Sequence, residues 1–261
     1  MKLASVRKHF RLFALASFFA VLLFSLCLTN RQQPSVTVAV QAADQQHTVR
    51  AAATYLCTAG GQATGGLTAA ELDFDGSDVE IINCTFIIDG THSFTNLSVL
   101  GTGVLTQTAT TTSTVTRTSI TVTGTTVVDT SASISMVGTG FTQNRTSDGA
   151  GGVTTTGGAT GASGGSHGGQ GGIASGTSGN TYDSVFQPND PGAGSGNNTS
   201  QGGGYLKLTT GDLSLAGFIS ANASPGAGGA SSGAGGGVWL IVTGALTGSG
   251  TVSANGGGGV V

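Results

Sequence analysis

Residues 202–226 and 235–259 of this chain carry the same text, 33 residues apart. GGGYLKLTTGDLSLAGFISANASPG aligns with GGGVWLIVTGALTGSGTVSANGGGG without a gap, and eleven of the 25 aligned positions are identical. A fixed period of this length marks a repeat architecture, in which one unit is stable only when stacked on its neighbours. Each unit holds short apolar runs broken by glycine, with no helical periodicity over three turns, so strands are expected. The period therefore predicts successive coils of an all-β solenoid, each supplying two or three strands. In that stacking Leu206, Leu208, Leu213, Leu215 and Ile219 would lie over Trp239 or Leu240, Ile241, Leu246 and Val252.

The strand text begins well before the clear copies. Val79-Glu-Ile-Ile, Thr85-Phe-Ile-Ile and Phe94-Thr-Asn-Leu-Ser-Val-Leu are short β-branched and aromatic runs, punctuated by Asp89-Gly90 and Gly101-Thr-Gly. Such punctuation reads as strand–turn–strand. Ile120-Thr-Val-Thr-Gly-Thr-Thr-Val-Val resembles the run from Leu206, and Ser133-Ile-Ser stands where Phe218-Ile-Ser and Thr251-Val-Ser stand later. A degenerate unit thus precedes the two clear ones. Val or Ile alternating with Thr or Ser puts an apolar row inward and a hydroxyl row outward.

The remaining divisions follow from composition. Residues 1–42 hold the apolar run Leu12–Leu28 behind Lys2, Arg7, Lys8 and Arg11. This is the pattern of an export signal, with small residues at Val40-Gln41-Ala42 for cleavage. An uncleaved anchor helix is the competing reading, because 17 apolar residues are near the short limit of a membrane span. Residues 43–78 read as a linker or N-terminal cap, 79–148 as solenoid coils and 205–261 as the repeats. Between them, 149–204 hold 20 glycines in 56 positions. Ordering a glycine costs roughly 0.5–1 kcal/mol more than ordering alanine. This low-complexity insertion therefore reads as long surface loops, attached through Tyr182, Val185 and Phe186. The other reading is that its glycines let backbones approach one another closely.

Charge limits the partners. Charged residues make up 8% of the chain and its net charge is −3, with no basic stripe to hold phosphates. Nucleic acid is excluded on that ground, and a membrane is expected only through residues 12–28 if they stay uncleaved. Cys27 lies inside the export segment, which leaves Cys57 and Cys84. In an oxidising compartment these would close a loop of about 28 residues, worth roughly 3 kcal/mol; two unpaired buried thiols are the alternative.

Catalytic patterns are weak. Gly-x-Ser-x-Gly occurs at 161–165, 164–168 and 229–233, but a nucleophile elbow needs a strand before it and a helix after it. His167, inside one of these matches, reads as a solvated loop residue. The acids Glu71, Asp73, Asp75, Asp78 and Glu80 cluster without the spacing of a calcium loop, and read as a solvated turn. No metal, cofactor or catalytic residue is expected. Thr108–Thr126, with Thr-x-Thr spacing, offers a hydroxyl ladder in which Thr121 and Thr123 would face a crystalline or glycan surface. The alternative is an outward row that only keeps the sheet soluble. Six of the ten asparagines stand in Asn-x-Ser/Thr sequons, a number that abundant Ser and Thr make unremarkable.

Gly203-Gly-Tyr-Leu-Lys-Leu-Thr-Thr-Gly, Ile219-Ser-Ala-Asn and Gly236-Gly-Val-Trp-Leu-Ile-Val-Thr-Gly, in that order, resemble a widespread class. Its members are large, glycine-rich surface proteins, mostly bacterial, of the adhesin or autotransporter-passenger kind. Gly164-Gly-Ser-His-Gly-Gly-Gln-Gly-Gly is similar to their glycine-rich insertion. The resemblance covers roughly residues 80–261. It implies a right-handed, pectin-lyase-like parallel β-helix, exported to the cell surface or beyond. The chain stops at Gly259-Val-Val, where another coil should start, so it reads as the N-terminal fragment of a longer protein. The expected function is a non-catalytic surface scaffold in adhesion or the cell envelope, meeting extracellular glycans or a host or cell surface. Alternatives are the first part of a β-helical carbohydrate-active enzyme, or an ice or glycan binder using the Thr row.

Overall fold

The computed structural model describes residues 66–197, 200–226 and 231–258, together with the backbone of 54–58. The expected export segment at 1–42 lies outside the described residues. Among those described there are fifteen strands and no helix, hence no helix long and apolar enough to cross a membrane.

β1 (Thr54–Thr58), β2 (Asp78–Ile82), β3 (Thr85–Ile87) and β4 (Gly90–Phe94) come first, followed by β5 (Asn96–Leu100) and β6 (Val104–Thr106). The long β7 (Thr118–Val128) and short β8 (Ser133–Ser135) precede a glycine-rich stretch with only β9 (Thr146–Ser147) and β10 (Val153–Thr154). β11 (Tyr205–Leu215) matches β7 in length, and β12 (Phe218–Ser220), β13 (Gly237–Val242), β14 (Leu246–Thr247) and β15 (Thr251–Ser253) follow. One sheet runs β1-β2-β5-β7-β11-β13, with β4 beside β7 and β14 beside β11. The other runs β15-β12-β8-β6-β3. Every pairing in these two sheets is parallel, and only the small β9–β10 ribbon is antiparallel. β1 lies inside the expected linker, so the stacked strands start earlier than residue 79.

The chain visits the two sheets in turn. Each visit to the second sheet is a strand of three residues. The connections leading into it hold two to four residues. Those leading back to the first sheet vary widely: two residues after β3, eleven after β6, 69 after β8 and 16 after β12. From β3 onward, every connection longer than four residues therefore leaves from one corner of the stack.

Parallel register makes columns of like residues. Phe86, Leu105, Ile134, Ile219 and Val252 stack in the second sheet. Val79, Leu97, Thr126, Leu213 and Leu246 do so in the first. Ile81, Leu97, Leu105, Ile120, Ile134 and Leu208 are fully buried, and each such aliphatic contributes roughly 1.5–3 kcal/mol. Side-chain oxygens stitch the corners: the Asn83 amide accepts from the Thr102 N–H at 2.9 Å, the Asp212 carboxylate from the Ala245 N–H at 2.7 Å and the Asn222 amide from the Asn255 N–H at 2.7 Å. The last two bonds link residues 33 apart, the period of the sequence.

The degenerate unit falls where expected, with Ile134 beneath Ile219 and Val128 beside Leu215. The last copy needs a correction. Leu206 pairs with Val238 and Leu208 with Leu240, an offset of 32, and the offset becomes 33 only at Leu213 and Leu246. A slip of one residue exchanges the faces of a strand. Val238, Leu240 and Val242 accordingly pack on the core, while Ile241 takes an outward position and does not lie over Leu208. Trp239, also outward, carries the Lys207 ammonium 4.2 Å from its ring centre.

The glycine-rich stretch also differs from the favoured expectation. Gly192 donates to the Gly203 carbonyl at 2.8 Å, Gly203 to Ala234 at 2.9 Å, Ala234 to Ala193 at 2.9 Å and Phe141 to Gly192 at 3.0 Å. One extended segment thus bonds to three others, and side chains would keep them apart. At Gly203 a methyl group would overlap the Ala221 carbonyl, and at Gly236 that of Gly204. Each backbone bond contributes about 1 kcal/mol net, which offsets the entropy of ordering one glycine. These glycines form a block packed against the corner of the sheets, with Phe141, Ala159 and Ala193 buried in it.

Candidate functional site

The outward face of the first sheet is set by alternation. In β7, Ile120 and Val122 are buried while Thr121 and Thr123 are exposed. Thr121 lies in register between Ser93 of β4 and Thr209 of β11, and Ser119 lies between Thr91 and Lys207. Strand geometry spaces such hydroxyls about 4.8 Å across the sheet and about 6.7 Å along it. Thr123 does not continue this lattice. It falls at a bulge, where Thr123 and Gly124 together face Gly211. The rest of the threonine run divides. Thr108–Thr116 form a loop with Thr110 buried, and Thr118 and Thr126 point inward. The Thr118 hydroxyl donates to the Ile88 carbonyl at 2.7 Å and that of Thr126 to Thr210 at 3.0 Å.

A second cluster organises the glycine block. Asp183, in the left-handed region at φ 67°, buries its carboxylate to 8% exposure although its backbone lies at the surface. The carboxylate accepts the N–H groups of Asn189 at 2.7 Å, Asp190 at 2.8 Å and Ser184 at 2.8 Å, and faces His167 Nε2 at 3.1 Å. Burial opposes its ionisation, but these hydrogen bonds prevail and hold its pKa down at about 2. His167 Nδ1 faces the Gly235 carbonyl at 3.0 Å. Both ring nitrogens thus face protein oxygens, and the ring is held between the 183–190 loop and the Gly235 strand entry. His167 is a buried clamp, contrary to the solvated residue expected from sequence.

Around it, Arg117 pairs with Asp190 and donates from Nε to the Asn189 carbonyl at 2.8 Å. Ser147 donates to the other Asp190 oxygen at 2.7 Å. Tyr182 packs on His167 and Phe141 and donates to the Pro191 carbonyl at 2.5 Å. Burial pushes the Tyr182 phenol well above its ordinary range, helped by Asp190 and Asp183. Burial likewise raises Tyr205, the first residue of β11, to about 12. Of the three expected attachment points, Tyr182 serves. Val185 and Phe186 do not, being 69% and 88% exposed.

The acidic run is spent on local structure. Asp75 faces His92 Nδ1 at 3.3 Å, Asp78 accepts from Asn96 at 2.6 Å and Glu71 accepts the Thr68 N–H at 2.8 Å. Among the described residues no group of three or more His, Cys, Asp or Glu is placed to share a metal. His92 itself is buried in the inward row of β4, stacked on Phe94. Cys84 is disulfide-bonded and packs on the core; the side chain of Cys57 lies outside the described residues. Sequence reasoning missed His92 and the Asp183 centre. The first carried only a place in an alternating strand, and the second depends on partners up to 68 residues away. Comparison with protein-family models, curated proteins and solved structures finds no match.

Proposed function

We propose that this chain is a non-catalytic, exported surface scaffold, built as a right-handed parallel β-helix, that meets extracellular glycans or cell surfaces through its hydroxyl face. The observation that carries this reading is the row Ser93–Thr121–Thr209, repeated in register over three strands and turned to solvent. Repetition of weak polar contacts gains strength through avidity and needs no deep pocket. The right-handed sense rests on the general rule that parallel crossovers within a sheet are right-handed in about 98% of cases. Export rests on the basic and apolar text of residues 1–28.

The test uses the protein coupled densely to beads and offered insoluble glycans such as cellulose and chitin, and whole cells. Dense beads should adhere while the free protein binds weakly, and Thr121→Lys with Thr123→Lys should reduce adhesion at least tenfold. Beads that hold none of these surfaces, or a double variant that adheres like the parent, would sink the proposal. Since Thr123 lies off the lattice, Thr121→Lys alone should account for most of the loss.

A further inference from the structure

Beside the Asp183 centre the glycine block leaves a hollow of about 1000 Å³. Its walls are mostly glycine and alanine backbone from the 164–174 and 233–237 segments, and its apolar side chains include Val185, Val238 and Val252. Val252 is 46% exposed. No Asp, Glu, Lys or Arg is among the residues that line it. On its rim, the loop from Asp183 to Asp190 is pinned by its own carboxylate and by Ser184, whose hydroxyl accepts the Phe186 N–H at 3.2 Å. That loop holds Phe186 at 88% exposure beside Val185. Phe186 and Val185 thus form an apolar projection beside a concave wall, the pairing of side chain and pocket that interfaces use.

We propose that this face joins two copies of the chain, each Phe186 entering the hollow of the other. Knob and hollow adjoin on one molecule, so a two-fold axis between two copies satisfies both contacts at once. A glycine-lined wall has no large side chain of its own to fill the space. Charge favours the same face. With no Asp, Glu, Lys or Arg in its lining, two copies can meet there without desolvating a charged side chain. The proposal is independent of the hydroxyl face, which belongs to the sheets.

Sedimentation of the full chain over a wide concentration range tests it. A reversible monomer–dimer equilibrium is expected, and Phe186→Ser should weaken it at least tenfold without lowering the melting temperature of the monomer, measured at concentrations where the parent is dissociated, since the side chain is 88% exposed. Ala254→Trp, which occupies the hollow, should also yield monomer. Mixing the two variants should restore association, because the Phe186 of one meets the open hollow of the other. A parent that stays monomeric at hundreds of micromolar overturns the proposal. So does a Phe186→Ser dimer as tight as the parent, or a mixture that associates no better than either variant alone.

Discussion

A single carboxylate, that of Asp183, joins the loop 183–190 to His167 and through it to the Gly235 carbonyl. Its pKa of about 2 lies below the ordinary value of 3.8, so folding favours the ionised form. The resulting stability is fully present above pH 3.8 and is lost as pH falls through about 2. At 8% side-chain exposure the gain is on the order of 1–2 kcal/mol. Thermal melts taken from pH 7 to pH 2 should show the parent falling toward the Asp183→Asn variant in that window. Curves that stay parallel down to pH 2 would mean the carboxylate is not the group being protonated.

At the scale of elements, glycine replaces the side chain as the packing unit. Gly203 lies against the Ala221 carbonyl, whereas a Cβ at Gly169 would meet nothing within 4 Å. Gly203→Ala should therefore cost about 2–3 kcal/mol by overpacking. Gly169→Ala should be neutral or stabilise by up to about 1 kcal/mol through the unfolded chain. Urea denaturation of both variants decides it, and equal stability would show that the block is not close-packed. This contrast was not legible in the text, where the two glycines look alike. Strands with alternating Val or Ile and Thr were legible, as were the columns ending in Ile219 and Val252, because period 2 and the 33-residue repeat both act locally. The slip at β13 was hidden because Trp239, Leu240 and Ile241 are all apolar, and only pairing with β11 selects which of them faces the core. The hydroxyl row was half legible. Thr121 followed from alternation, but the bulge that removes Thr123 depends on Gly211, 88 residues later.

Over the whole molecule, stability runs along the stack. β7 and β11 have strands on both sides, whereas β15 pairs only with β12, and β14 only with β11, among the described residues. Leu246 in β14 is 67% exposed, while Leu213 below it is buried. In a stack held by nearest-neighbour contacts, such edges open first. Hydrogen exchange should find the amides of 246–253 exchanging at least a hundredfold faster than those of Ile120 and Leu208. Uniform protection would point to a single cooperative unit. The corner that gives rise to the long connections after β3 has a further consequence. Segments of two to 69 residues depart there, while the opposite corner keeps two to four. Insertions and deletions at that corner leave strand register untouched, so the side block can change in length while the hydroxyl row keeps its spacing. For protein engineers the same corner is a natural graft point, where foreign cargo could be carried without disturbing the pairing of the sheets.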